Sequence, residues 1–311
     1  MTRPILAVPK GFDPPVVEKV ERLLEMLDAV ANNPYLKSRL ILHGGTALNV
    51  FHADMPRLSV DIDLAYVGSP TAEGMLEERP RVDGEVRALA AKLGYAARSL
   101  HNEHSGQSYR LRYDADSIKV DVSYLARVPL LEPVMLACSR CRPTVAFATL
   151  QLPELVAGKV SALVDRTAPR DLYDIARLAT AVEAPRLDSG LARSVVLHAL
   201  SLTDRFPFER DPAGAADKFA EPTEAQVQEL RGVLTTEDPA GFDDMRARVA
   251  AYLSPLSILT PAEAEYMELL GTTGQHVPEL LFGGWPDIAE RARISPVVAW
   301  KVQNLRRLLG R

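Results

Sequence analysis

Cysteine is almost missing: the 311 residues contain only Cys138 and Cys141. Two thiols cannot form a disulfide framework, so a reducing, cytoplasmic setting is expected. Long apolar runs are missing too, none approaching the ~18 residues of a membrane span. The opening MTRPILAVPKGFDPP is interrupted by prolines before a hydrophobic region can follow its charge, so no signal peptide is expected. Aromatic residues make up only 6% of the chain, so the core has to be built mainly from aliphatic side chains. What remains is ordinary globular composition, 47% hydrophobic and 25% charged, with Ala, Leu, Val and Arg favouring helices. The length accommodates one large domain or two modest ones.

An excess of positive charge is also lacking. The net charge of −5 argues against a protein that coats nucleic acid nonspecifically. The charge is uneven, however. From Glu209 to Arg246 ten acids face Arg210, Lys218, Arg231 and Arg246, whereas from Asp287 onward two acids face Arg291, Arg293, Lys301, Arg306, Arg307 and Arg311. A local basic surface at this end can meet phosphates, or both runs are simply solvated helix faces.

Periodicity divides the chain near residue 150. Pro14–Ala31 carries Val17, Val20, Leu23, Leu24 and Leu27 at helical spacing. Leu40–His43 reads as a strand end or turn, Thr46–His52 as a short helix, Leu58–Val67 as a strand closed by GSPTAEG, and 82–93 as a helix stopped by Gly94. Residues 108–113 and 117–125 alternate as two strands of a hairpin around a turn at 113–116. From Leu152 the pattern is helical, and Thr260, Pro261 and Glu263 stand in the order of an N-cap, N1 proline and capping-box glutamate. An α+β fold is therefore expected: a mixed half over 1–150, then a mainly helical domain over 151–311 completing an active-site cleft.

The chemistry concentrates in HGGTALNVFHADMPRLSVDIDLA, residues 43–65. Alternation puts Asp61 and Asp63 on one face of a strand and Val60, Ile62 and Leu64 on the other. Two adjacent carboxylates repel unless a cation lies between them, which points to a divalent metal. Aspartate is depleted in strands, and Asp121 adds a third on a strand able to lie beside the first. Gly44 and Gly45 let the backbone approach a phosphate, and the Thr46 hydroxyl can donate to it, although a plain helix-capping turn has the same sequence. Ser59 shares the face of Asp61 and Asp63 and joins the expected nucleotide site, and Arg57 continues that face if the strand starts early enough and can neutralise phosphate. Phosphorylation of Ser59 would set a near-dianion against the carboxylates and act as an off switch.

A glycine pair with Thr, a short helix, D-x-D on a strand and a third acid on a later strand together resemble the polymerase-β-type nucleotidyltransferases. The fuller strings GGTALN…RLSVDIDL and LPELVAGKVSALVDRTAPRDLYDIARL look like the AbiEii/MenT family of toxin nucleotidyltransferases. Fourteen residues between Thr46 and Asp61 are more than the general superfamily pattern has. The resemblance implies a polymerase-β-like core, Gly45 and Thr46 on the triphosphate of an NTP, and Asp61, Asp63 and Asp121 on Mg²⁺, with two ions expected. It further implies Lys159 on phosphate, a need for Asp171, a tRNA 3′ end as acceptor, and an antitoxin of AbiEi type as partner in a bacterial toxin–antitoxin or phage-defence setting.

The residues alone leave alternatives. Lys159 borders an apolar stripe and either snorkels to water or reaches inward to an anion. Asp171 after Pro169 can be an N-cap, with Asp174 three positions on pairing with Arg170 or Arg177. Cys138-x-x-Cys141 and His101-x-x-His104 number four zinc ligands but read as incidental loop residues. The rival functions are a small-molecule nucleotidyltransferase of the aminoglycoside type, using the acidic 209–244 segment for a cationic drug, and a nucleotide-binding regulator without turnover.

Overall fold

The computed structural model describes residues 2–114, 116–208 and 211–310. Ala115 of the expected turn, and Glu209, Arg210 and Arg311 of the charge runs, lie outside the described residues. The chain forms two units, Met1–Gln151 with Gly232–Asp238, and Leu152–Arg231 with Pro239–Arg311. Residues 232–238, inside the stretch read as the helical domain, return to the first unit. There the Leu58 N–H donates to the Val233 carbonyl at 2.8 Å, and the Thr236 N–H to that of Gly11 at 3.0 Å.

In chain order the first unit contains β1 (Ile5–Leu6), α1 (Pro14–Ala31), β2 (Leu40–His43), α2 (Gly44–Thr46) running into a π-helical segment (Ala47–His52), β3 (Asp61–Tyr66) and α3 (Ala72–Lys92). Then come β4 (Ala96–Glu103), β5 (Gly106–Tyr113), β6 (Asp116–Ser123), β7 (Val134–Ala137), β8 (Cys141–Arg142) and β9 (Ala146–Thr149). Seven strands form a mixed sheet in the order β4-β5-β6-β3-β2-β9-β7, while β1 pairs with β8. β3 runs parallel to β6, and β2 parallel to β9. Prolines at the start of α1 set φ where the N–H groups have no helical partner, and its stripe Val20, Leu23, Leu24 and Leu27 is fully buried. That stripe, with Val82, Val86 and Ala90 of α3, belongs to the core with Leu111, Ile118, Val120, Ile62 and Leu64 of the sheet.

Four expectations need correction. β2 is an interior strand, not a strand end, because Leu40, Ile41 and Leu42 are buried between β3 and β9. β3 starts at Asp61, so Arg57 and Ser59 precede the strand. α3 begins at Ala72, capped by the Thr71 hydroxyl, and passes through Pro80. Proline forfeits one helical hydrogen bond, yet Pro80 is on the exposed face and its neighbours are anchored. Glu78 accepts two bonds of 2.9 Å from Arg39 and one of 2.7 Å from the Tyr66 hydroxyl, and Asp83 accepts one of 2.7 Å from Tyr124. Tertiary anchors on both sides of Pro80 thus override its local preference. Cys138 and Cys141 are core residues, not incidental ones: both are buried, and the Cys141 sulfur accepts the Val145 N–H at 3.3 Å.

The second unit is helical: α4 (Leu152–Asp165), α5 (Pro169–Leu178), α6 (Gly190–Leu200), α7 (Glu224–Arg231), α8 (Phe242–Leu253), α9 (Pro261–Thr273), α10 (Glu279–Phe282), α11 (Pro286–Ile294) and α12 (Pro296–Leu308). α4 packs on α5 and α6. The capping box at Thr260 forms as read, and Glu263 also takes the Arg193 guanidinium at 2.7 and 2.9 Å. Two cations of the basic tail are engaged within the fold, whereas Arg306 and Arg307 are exposed. Lys301 is buried and donates to the carbonyls of Thr203 and Phe206, and Arg293 pairs with Glu279 and Glu290. In the acidic run Arg246 holds Asp217 and Asp243, and Arg248 holds Asp244, leaving these acids partnered. Among the described residues no helix is long and apolar enough to cross a membrane.

Candidate active site

Strand pairing brings the three aspartates together. In the parallel β3–β6 pair Asp63 stands opposite Asp121 and Asp61 opposite Lys119. Parity puts all four side chains on one face, while Ile62, Leu64, Val120 and Val122 fill the core behind them. Lys119 was not singled out in the sequence, although its parity with Asp121 carried the signal. Its ammonium donates to Asp121 Oδ2 at 2.5 Å. Burial works to lower its pKa, but the bond to Asp121 and the charges of Asp121, Asp61 and Asp63 outweigh it and hold the lysine protonated.

The donor set is all carboxylate oxygen, the chemistry Mg²⁺ prefers. Asp121 Oδ1 is buried with no hydrogen-bond partner, an open acceptor of the kind a cation satisfies. Among the described residues no three His, Cys, Asp or Glu side chains already converge as a finished metal cage, and Lys119 occupies Asp121 Oδ2. The residues therefore fit a divalent ion as ligands still to be drawn together. A hollow of about 370 Å³ opens beside Asp121, lined by His101, Ser108, Ser123 and Leu125 among others.

Gly44 sits against Asp63. Its φ of +70° is in the left-handed region, and a Cβ built there would lie 2.2 Å from Asp63 Oδ2 and 2.9 Å from Cγ. The glycine thus sets where the carboxylate rests. Gly44→Ala is expected to cost about 1–2 kcal/mol from φ alone and to displace the Asp63 carboxylate, lowering transfer more than stability. Urea unfolding and initial rates on one preparation check this; an alanine variant at full rate would contradict it.

Thr46 supports the site from beneath. Fully buried, its hydroxyl donates to the Asp61 carbonyl at 2.5 Å and lies 3.0 Å from Ser59 Oγ. It fixes the start of β3 instead of presenting a free donor to phosphate. Gly45 is buried, and its carbonyl accepts from Asn49 at 3.0 Å within the π-helical stretch. His52 closes that stretch: Nε2 lies 2.9 Å from the Leu150 carbonyl, and burial holds the ring below its usual pKa against that bond. Ser59 is 5% exposed and its hydroxyl engaged, so the fold offers no accessible group for the phosphorylation switch. Arg57 is 2% exposed, and its guanidinium donates to the Leu58 carbonyl at 2.8 Å.

Lys159 and Asp171 meet within the helical unit. Lys159 reaches inward and does not snorkel: its ammonium lies 2.9 Å from Asp171 and 2.8 Å from Asp174. Arg166 completes the set on the other Asp171 oxygen at 2.7 Å. Lys159 thus bridges Asp171 and Asp174, and Arg166 adds a second cation on Asp171. Burial pushes the Asp171 carboxyl up, but Lys159 and Arg166 outweigh it and hold it below the usual range. Asp171 is not the N-cap, which is Ala168, and Arg170 lies 3.0 Å from Glu229. His101/His104 and Cys138/Cys141 are not joined in a metal cluster among the described residues.

No curated protein matches the chain. Among solved structures it is similar to MenT4, a nucleotidyltransferase toxin from Mycobacterium tuberculosis H37Rv, with 21% identity, a TM-score of 0.60, and coverage of 94% of this chain and 93% of that one. At that identity the likeness establishes the fold. The model of the nucleotidyl transferase AbiEii toxin family, of type IV toxin–antitoxin systems, matches residues 25–258. The chain belongs to the AbiEii family and is a nucleotidyltransferase toxin of a type IV toxin–antitoxin system.

Proposed function

We propose that the Asp61–Asp63–Asp121 face transfers a nucleoside monophosphate from an NTP to an acceptor hydroxyl, that of a tRNA 3′ end, with Mg²⁺ as cofactor. The observation that carries this reading is the register placing Asp63 opposite Asp121 with Asp61 on the same face, next to an unpartnered Asp121 oxygen. Asp61, Asp63 and Asp121 would hold the metal, which supplies charge neutralisation on the phosphates. Gly44 keeps the Asp63 carboxylate in place, and Thr46 fixes the strand that carries both aspartates. Asp121 accepts the proton of the acceptor hydroxyl as its oxygen attacks the α-phosphorus. The bond from that phosphorus to the β-phosphate oxygen breaks and pyrophosphate leaves. Lys119, released from Asp121 as substrate arrives, remains to neutralise phosphate. Any contact of Lys159 with phosphate has to replace its bonds to Asp171 and Asp174, so its main part is to hold α4 against α5. Action on tRNA sets the protein in the cytoplasm, with an antitoxin of AbiEi type encoded beside it.

The test is incubation with Mg²⁺, each α-labelled NTP in turn and either total tRNA or an aminoglycoside, beside Asp61→Ala. Label on tRNA that disappears in the variant is expected. Label on the drug alone would move the acceptor to small molecules, and NTP binding without transfer would make the protein a regulator.

A further inference from the structure

The sheet face that carries the aspartates continues, away from them, as a row of cations. Lys119 stands opposite Asp61, Arg110 opposite Lys119, and Arg98 of β4 opposite Arg110. Arg112, two residues along β5 from Arg110, lies on the same side. Arg98, Arg110 and Arg112 are exposed. Other arginines of this unit are neutralised, Arg22 by Glu18, Arg39 by Glu78, Arg79 by Asp83 and Arg140 by Asp54. Among the described residues no such partner meets Arg98, Arg110 or Arg112.

Like charges directly opposite in a sheet destabilise it, and here two such pairs follow one another, Arg98–Arg110 and Arg110–Lys119. A folded state that keeps them, in a chain of net charge −5, is built to meet an external polyanion. We propose that Arg98, Arg110 and Arg112 form the docking track for the phosphodiester backbone of a single-stranded nucleic acid whose terminal hydroxyl lies at the aspartates. This rests on the transfer reading above and adds the surface that holds the acceptor.

Length favours a strand over the triphosphate of one nucleotide. Three strand spacings separate Asp61 from Arg98, roughly 14 Å at about 4.8 Å each. A stacked strand covers that distance in about four nucleotides, at roughly 3.4 Å apiece. Direction favours it as well, because the row begins where a chain end would react and leads away from it. Guanidinium groups suit phosphate oxygens by their fork of donors. An acidic protein segment is the rival occupant.

The measurement is fluorescence anisotropy with a labelled eight-nucleotide RNA, without NTP, across a salt titration. Arg98→Gln/Arg110→Gln/Arg112→Gln is expected to weaken binding at least about tenfold at low salt and to flatten the log–log salt slope by about 2, at roughly 0.7 per phosphate contact. The corresponding triple lysine variant keeps most of the slope. All three positions are exposed, so the melting temperature stays within a degree or two, and binding of a fluorescent NTP is unchanged. Unaltered RNA affinity and slope in the glutamine variant would overturn the track while leaving the transfer reading intact. Tighter binding of polyglutamate than of RNA, lost in the glutamine variant, would also overturn it and give the surface to an acidic protein. A wild type that binds RNA through these arginines yet transfers no nucleotide would retain the track and defeat the transfer reading.

Discussion

Replacing Lys159 by methionine is expected to destabilise the protein by about 3–5 kcal/mol at neutral pH. The substitution keeps the stem but strips Asp171 and Asp174, both nearly inaccessible, of the ammonium they share. A buried ion set owes little net stability to its attraction, since desolvation offsets it, but breaking one member exposes the whole desolvation cost. The companion variant, Lys159→Met with Asp171→Leu and Asp174→Leu, therefore recovers much of the loss. The pH dependence has a definite sign. The Asp171 carboxyl is held below its ordinary value, so its contribution is present above the unfolded-state pKa of ~3.9 and is lost as pH falls through the folded value. The gap between wild type and Lys159→Met is thus widest near pH 7 and narrows towards and below pH ~4. Urea unfolding at both pH values checks this, and a gap that grows on acidification would refute the assignment.

Asp63→Ala is expected to abolish transfer while leaving the fold as stable as before or slightly more so. Asp63 faces Asp121 and neighbours Asp61, and Lys119 is the cation held against this carboxylate face. Removing one negative charge relieves repulsion in the resting protein, a stability cost that functional sites commonly carry. Activity moves the other way. Metal-assisted stabilisation of charge on the phosphates is worth several kcal/mol, and about 4 kcal/mol corresponds to roughly a thousandfold in rate. Parallel rate and melting measurements separate the two effects; a melting temperature that collapses along with the rate would make Asp63 structural.

The carboxylate face was legible because strand alternation is the simplest code in the chain. Asp61, Asp63 and Asp121 each alternate with buried aliphatics, and the 117–125 strand was readable beside its hairpin partner. Pairing was not legible: nothing local says that β6 lies parallel to β3 or that Asp63 meets Asp121. Lys119 escaped notice for that reason, as a lysine on the polar side of a strand looks like a solvated residue until the register places it among three acids. Thr46 reads as a donor to phosphate, and strand parity places Ser59 and Arg57 on the aspartate face. The strand begins only at Asp61, and their polar groups are spent inside the fold. Lys159 shows the converse case, since its inward reach was one of two open readings and its partners Asp171 and Asp174 were visible without the link to it. Pro80 misled because a proline rule is local, whereas the bonds of Glu78 and Asp83 to distant residues decide where α3 runs.

The central claim is that Asp61, Asp63 and Asp121 hold a divalent cation together with a nucleotide. Its most direct test is Mn²⁺ binding followed by electron paramagnetic resonance, with a non-hydrolysable NTP present, in wild type, Asp63→Ala and Asp121→Asn. The account predicts nucleotide-dependent Mn²⁺ binding in the wild type that is weakened at least tenfold in each variant, while both variants melt as the wild type does. Equal Mn²⁺ binding in all three proteins would contradict it.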